Sequence, residues 1–282
     1  MPTSSKEKAN EASAGSKVAI WIPARLGSTR VKEKLLQRVR GRAILEYTLD
    51  NALAAADLLG GDAGMVRLVT DSDALANIAT RAGARVSMVT AQCSSGTARL
   101  AAALKRLTGD DQPDLIINLQ GDEPLMPPAL IASMARWMGA QPHIKMGTVM
   151  RTGEVEGEGV SVVVDQKDHA LYFSRQTLPG RHPTRGEILR TNKRLPWGRH
   201  IGLYGYRKEV LQEWLNWSPG ALEEREGLEQ LRALEYGIAI AVLRAEENRA
   251  TRPMRSEENS DLERSWFSID TENDLKRFEA LT

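Results

Sequence analysis

The chain has 282 residues, 41% of them hydrophobic and 27% charged, which is enough for a sizeable buried core. A formal net charge of +1 excludes a global field that draws in nucleic acid, so any anion site must be local. A single cysteine, Cys93, excludes an intramolecular disulfide framework and a cysteine-based zinc site.

Residues 1–17 are rich in Ser, Ala, Glu and Lys and lack the apolar core of a signal peptide, so they read as a disordered tail. No apolar run approaches the roughly 20 residues of a membrane helix, and a soluble cytoplasmic protein with no membrane partner is expected. Residues 18–22 are a short buried strand ended by Pro23. The loop 24–34 follows, then a helix over 44–59. A second strand over 66–70 ends at Asp71, and a helix over 74–82 stops at Gly83. Residues 85–90 form a third strand, and Ser95-Gly96-Thr97 open a helix over 98–107. A fourth strand, 115–119, ends in the turn Gln120-Gly121-Asp122-Glu123-Pro124. Strands alternating with helices predict an α/β fold with a mostly parallel, doubly wound sheet. Ligands bind such sheets beyond the carboxyl ends of the strands, where Pro23, Ala24, Asp71 and Gln120 fall as candidate nucleotide-binding residues.

The second half is more mixed. Residues 160–164, 170–174, 201–206 and 238–243 read as strands and 228–236 as a helix. The Arg-, Gly- and Pro-rich stretch 179–199 and the polar stretch 245–263 read as long loops. A final helix is capped near Asp270 or Thr271. The domain reading is a tail over 1–17 and one domain over 18–282, with a nucleotide-binding half of about 18–150 and an acceptor and dimerisation half of about 151–282.

Several loops carry chemistry. Arg25, Ser28, Thr29, Arg30 and Lys34 lie between a strand and a helix; they suit a triphosphate, or form a solvated basic turn. The spacing matches neither a P-loop nor a dinucleotide fingerprint. Asp122 and Asp270 suit Mg²⁺ shared with substrate phosphates, or are a turn residue and a helix cap. Glu123 is a further ligand or a turn carboxylate. Ser95, Gly96 and Thr97 face a nucleoside, or only cap a helix. Cys93 reads as a small buried residue, since nothing near it in sequence supplies a base. His200 and Tyr204, four apart on one strand face, line a polar pocket with Arg175, Glu229 and Gln230, or are structural.

Six ordered segments together resemble the CMP-Kdo synthetase (3-deoxy-manno-octulosonate cytidylyltransferase) family. They are 22–30 (IPARLGSTR), 120–124 (QGDEP), 170–175 (ALYFSR), 200–206 (HIGLYGY), 228–232 (LEQLR) and 270–275 (DTENDL). The resemblance implies a Rossmann-like nucleotidyltransferase fold with a small mixed acceptor and dimerisation subregion. It also implies a homodimer, CTP, a small anionic acceptor and Mg²⁺. It assigns Arg25 and Lys34 to the triphosphate, Ser95-Gly96-Thr97 to the nucleoside, and Asp122 and Asp270 to the metal. Arg175, His200, Tyr204, Glu229 and Gln230 are assigned to the acceptor.

Three departures stand out. The family's Pro-Gly-Lys-Pro-Leu is Lys32-Glu33-Lys34-Leu35-Leu36 here. Its Gly-Thr-Glu-Arg has Ala98 for the acid, and a family lysine is Ser161. The basic stretch 179–199, with Arg181, Arg185, Arg190, Lys193 and Arg194, also suits a doubly charged acceptor such as a small phosphonate. The expected activity is therefore CMP transfer from CTP to a Kdo-type sugar acid with pyrophosphate release. The alternatives are transfer to a phosphonate such as phosphonoformate, and a non-catalytic nucleotide-binding protein.

Overall fold

The computed structural model describes residues 16–27, 31–153, 159–180, 195–245 and 267–282. In chain order the elements of the first half are β1 (Val18–Ala24), β2 (Arg38–Val39), β3 (Arg42–Ala43), α1 (Ile44–Leu58), β4 (Val66–Thr70), α2 (Asp73–Arg81), β5 (Arg85–Met88), α3 (Gly96–Arg106), β6 (Leu115–Leu119) and α4 (Pro128–Gly139). The second half adds β7 (Met146–Thr152), β8 (Ser161–Val164), β9 (Ala170–Ser174), β10 (Trp197–Arg207), α5 (Lys208–Trp214), α6 (Ala221–Glu226), α7 (Gln230–Glu235), β11 (Ile240–Arg244) and α8 (Glu272–Leu281).

Nine of these strands form one sheet whose main path runs β11-β7-β10-β6-β1-β4-β5, with β8 and β9 continuing from β10. β6, β1, β4 and β5 are mutually parallel, β11 is parallel to β7, and β10 runs antiparallel between β6 and β7. The α/β fold and its mostly parallel sheet are as expected, with the mixed part in the second half.

The apolar run of β1 is buried on both faces because its side chains alternate. Ile20 and Ile22 enter one core with α1, α2, α4 and α8, while Ala19 and Trp21 enter a second with α3 and α5. All four strands proposed for the first half and the helices between them are present, with ends displaced by up to two residues. Helix α4 and strand β7 are additions to the sequence reading. Pro127-Pro128 resembles a loop, yet Pro128 sits in the first helical turn, where its missing N–H costs nothing. Gly147 of β7 and Gly205 of β10 are cross-strand partners. Together they form a floor for α4: an added Cβ would lie 2.9 Å from Met134 Cε at Gly147 and 2.2 Å from Met138 Sδ at Gly205. Glycine thus marks close helix–sheet approach, not a weak strand.

Two boundaries are corrected. Residues 197–199, placed in the basic loop, belong to β10 and pair with β7 and β8. Lys17, placed in the tail, is pinned beside β6: its carbonyl accepts from Asp114 N at 2.8 Å and its N–H donates to Asp114 Oδ2 at 3.0 Å. Residues 181–194 of the basic loop and most of the polar stretch 245–263 lie outside the described residues. No described helix is long and apolar enough to cross a membrane.

Candidate functional site

A cleft of about 430 Å³ opens beyond the carboxyl ends of β1 and β6. Pro23, Ala24 and Arg25 line it from the end of β1, and Gln120, Gly121 and Asp122 from the end of β6. Lys34 enters from the loop, Ser95 and Gly96 from the start of α3, Asp270 from the segment before α8, and Arg175 from the end of β9. Ser28 and Arg30 lie outside the described residues.

Asp122 and Asp270 are 148 residues apart in sequence, by subtraction of their numbers, and meet because the chain around each is tied down. Ile269, fully buried, donates its N–H to Asp122 O at 3.0 Å. On the other side of the turn, Thr48 of α1 donates to Gly121 O at 2.9 Å and Asn51 to Pro124 O at 2.8 Å. Gly121 is packed so closely that an added Cβ would sit 3.2 Å from Leu35 Cδ1 and 3.3 Å from Pro23 O. Thr271, not Asp270, caps α8, its hydroxyl accepting from Asp274 N at 3.2 Å. The Asp270 carboxylate therefore faces the cleft, where Ser268 donates to it at 2.9 Å.

The Lys34 ammonium lies between the two carboxylates, 2.5 Å from Asp122 Oδ2 and 3.1 Å from Asp270 Oδ1. Burial pulls its pKa down, but Asp122 and then Asp270 outweigh that and raise it above the ordinary lysine value. Glu123 is buried beside the pair, and its carboxylate accepts no hydrogen bond among the described residues. Burial first, then Asp122 and Asp270, pushes its carboxyl up to about 8, so it is largely protonated at neutral pH.

Asp71 points away from a direct ligand role: it pairs with the buried guanidinium of Arg99 at 2.8 Å, and Arg99 lines the cleft. Ser95 and Gly96 face the cleft, whereas Thr97 is buried behind it. Ser95 caps α3 by accepting from Ala98 N at 3.1 Å. Cys93 is a half-buried residue of the wall, not a buried core residue.

The five residues assigned to the acceptor are divided. Arg175 lines the cleft, and its guanidinium is steered by Glu226 O at 2.8 Å and Gly227 O at 3.2 Å. His200, Tyr204, Glu229 and Gln230 do not line it. His200 and Tyr204 lie on one face of β10 on either side of a bulge, with ring centroids 5.3 Å apart, and Tyr204 stacks on Tyr206 at 5.9 Å. Thr148 donates its hydroxyl proton to Leu203 O at 2.9 Å, so the 2.9 Å contact to His200 is a donation from Nε2–H. Burial holds the His200 imidazole neutral, pushed down to about 3, and pushes the Tyr204 phenol well above its ordinary value.

Glu229 accepts from the Ser95 hydroxyl and from Thr97 Oγ1 at 3.0 Å, and Thr97 in turn meets the Tyr206 hydroxyl at 3.3 Å. Burial raises the Glu229 pKa against the opposing pull of the two hydroxyls. The residue assigned to the acceptor thus grips the loop assigned to the nucleoside.

A cytidylyltransferase family model matches residues 19–241. The chain belongs to the cytidylyltransferase family. A 3-deoxy-manno-octulosonate cytidylyltransferase of Anaeromyxobacter sp. (strain Fw109-5) is 36% identical over 94% of this chain and 96% of its own length. One of the same name from Vibrio vulnificus (strain YJ016) is 36% identical over 81% of this chain and 89% of its own. The solved structure of CMP:2-keto-3-deoxy-manno-octonic acid synthetase complexed with CTP is 29% identical, with a TM-score of 0.75, covering 94% of this chain and 98% of that one. These relatives make the chain an enzyme and set aside the non-catalytic reading.

For this cytidylyltransferase the sequence reading missed the residues that hold the site. Thr48 and Asn51 are polar positions three apart on a helix that is otherwise largely Ala and Leu, a spacing that flags a common face. Glu226 fixes Arg175 through contacts that no local spacing announces. The departures can now be placed. Glu33, where the family pattern has glycine, adopts φ 49, ψ 41, the left-handed region that glycine favours, in the turn that delivers Lys34. Ala98 is buried in α3, and Ser161 is buried with its hydroxyl accepting from Leu178 N at 3.2 Å.

Proposed function

We propose that the enzyme transfers CMP from CTP to the anomeric hydroxyl of a Kdo-type 3-deoxy sugar acid, with Mg²⁺ and release of pyrophosphate. The observation that carries this reading is the convergence of Asp122 and Asp270 on one cationic position in a cleft that also presents Arg25, Arg99 and Arg175. The donor set fits Mg²⁺: both are hard carboxylate oxygens, the Lys34 ammonium stands where a cation belongs, and substrate phosphates complete such a site. When bound, the ion supplies charge neutralisation and acidifies the attacking hydroxyl.

The chain's own groups do the positioning. Arg25 at the lip and Lys34 on its flexible stem neutralise charge that builds on the departing pyrophosphate. Ser95 and Gly96, at the amino end of α3, present backbone N–H groups and the positive end of the helix to the nucleotide. Arg175 is the fixed cation for the acceptor carboxylate. Neutral His200, un-ionised Tyr204 and Gln230 stand behind the cleft wall, so on this reading they support the acceptor side without lining the cleft. The sugar-acid acceptor is favoured by the relatives described above, which are named for a 3-deoxy sugar acid and lend no support to a phosphonate.

A homodimer in the cytoplasm belongs to the same reading. In its support, four of the five large hydrophobic side chains exposed among the described residues, Leu171, Leu215, Leu222 and Tyr236, lie in the second half.

The test is pyrophosphate release with CTP and Mg²⁺ against Kdo, its 8-amino analogue, sialic acid, phosphonoformate and phosphonopyruvate. Turnover is expected with the Kdo-type acids. Turnover of phosphonoformate with none of Kdo overturns the acceptor assignment, and equal rates with UTP or GTP overturn the nucleotide assignment.

A further inference from the structure

We propose that Lys34 is an internal counter-ion that holds the place of the divalent cation in the metal-free enzyme, and that the cation enters only by displacing it. The inference rests on the metal reading above and deepens it. Its starting point is the position of one side chain: the Lys34 ammonium touches both carboxylates, and the side chain is only 12% exposed.

The surroundings make that position specific. The root of Lys34 is fixed by a one-turn 3₁₀ segment, in which Leu36 N donates to Glu33 O at 2.8 Å, and by the burial of Leu35 in the core. The root therefore stays in place, while the four-carbon stem is able to swing. Asp122 is held by its backbone contact with Ile269 and by the packed, hydrogen-bonded Gly121. Asp270 is held by Ser268. Two ionised carboxylates held on one point repel each other. A positive charge at that point is needed whether or not a metal is bound, and Lys34 supplies it.

The two cations compete for one position. A Mg²⁺ ion sits about 2.0–2.1 Å from its carboxylate oxygens. The ammonium stands 2.5 Å and 3.1 Å from one oxygen of each carboxylate, so a divalent ion drawn to the same pair meets its positive charge at close range. Metal alone must therefore break two charge-assisted contacts without compensation. Metal that arrives with a triphosphate offers the displaced ammonium new anionic partners, so nucleotide and metal favour each other's binding. The carboxylates then become fully available to the ion only when substrate is present.

The probe is Mn²⁺ binding to the nucleotide-free protein, read by electron paramagnetic resonance of the free ion. Lys34→Gln should bind Mn²⁺ about tenfold tighter or more than wild type, because the competing charge is gone. Lys34→Arg, which keeps the charge, should stay close to wild type. As a second measurement that tolerates some loss of basal stability, Mn²⁺ alone should raise the melting temperature of Lys34→Gln more than that of wild type. Asp122→Asn added to Lys34→Gln should abolish both gains. If Lys34→Gln binds Mn²⁺ no tighter than wild type and gains no extra melting shift, the placeholder role is overturned. The metal assignment is checked separately: if Asp122→Asn in the wild-type background leaves Mn²⁺ binding in the presence of CTP unchanged, that assignment fails instead.

Discussion

Glu229→Ala probes the coupling between the two halves of the site. In the structure both carboxylate oxygens are engaged, one by the Ser95 hydroxyl and the other by Thr97 Oγ1 at 3.0 Å. A hydrogen bond to a charged acceptor contributes about 1.5–3 kcal/mol, so the two contacts amount to roughly 3–6 kcal/mol before any offset. The carboxylate is largely buried, and burial raises its pKa, so its desolvation cancels much of that gain. A net loss of about 2 kcal/mol is expected, which for a chain of this size lowers Tm by about 4 °C. The kinetic consequence is more diagnostic. Ser95 and Gly96 line the cleft, so releasing the amino end of α3 should raise the KM for CTP about fivefold, an effect of roughly 1 kcal/mol on binding, and should raise the acceptor KM as well. Glu229→Gln keeps an acceptor oxygen and should recover most of the stability. The assay is steady-state kinetics in both substrates together with thermal melts of both variants. A rise in acceptor KM alone, with CTP KM and Tm at wild-type values, would refute the reasoning and leave Glu229 as an acceptor contact only.

Asp122→Asn and Asp270→Asn should each lower kcat by about 10², the scale of losing one transition-state charge contact, with circular dichroism unchanged; wild-type turnover in either variant removes that residue from the chemistry. Glu33→Gly should stabilise the protein by about 0.5 kcal/mol, because relief of left-handed strain of roughly 1–2 kcal/mol is partly cancelled by glycine's unfolded-state entropy; a loss of stability in denaturant titration would show that the turn is unstrained. His200, pushed down to about 3 from 6.5, binds its proton only in the unfolded chain between those values, so its contribution to stability is lost as the pH falls through that window. The slope is about 1.4 kcal/mol per pH unit, and His200→Asn should flatten the acid limb of the stability profile by one proton. An unchanged slope in that variant would mean that His200 titrates normally in the folded state.

The parallel half of the fold was legible because buried parallel strands are short apolar runs and the helices between them carry clear stops. Gly83 and Gly60 both adopt positive φ just beyond helix ends, as the sequence signal at Gly83 suggested. Helix α4 and strand β7 were not legible. Their signals, a Pro-Pro start and a glycine in a strand, have meaning only once the two elements pack on each other. The cleft residues were found through ordered motifs, since loops at strand ends carry the chemistry of a doubly wound sheet. What holds those residues was hidden for a physical reason. Thr48, Asn51, Ile269 and Glu226 act across sequence separations of 51 to 147 residues through single contacts to backbone or side-chain groups, and no local periodicity encodes such contacts. Asp71, a strand-end acid, is paired with Arg99, which itself lines the cleft, a contact that local spacing does not announce.

The three departures from the family pattern bear on what this enzyme shares with its relatives. Glu33 adopts a left-handed turn, from which Lys34 reaches between Asp122 and Asp270. Ala98 packs in the apolar cluster with Leu100 and Ala101 and is not part of the cleft wall. Ser161 is buried where β8 meets β9 and β10, and it too is absent from the wall. Among the described residues that differ from the family pattern, Leu35 lines the cleft, and it adds no charge or hydrogen-bonding group there. The three departures act on how the walls are held: one on the turn that presents the lysine, one on the helix that presents Ser95 and Gly96, and one on the strand beside the acceptor elements. A change in wall support alters affinity and rigidity before it alters the chemistry, because Lys34, Asp122 and Asp270 are themselves unaltered. The step at phosphorus should therefore match that of the relatives, and differences between this enzyme and theirs should be sought in acceptor KM.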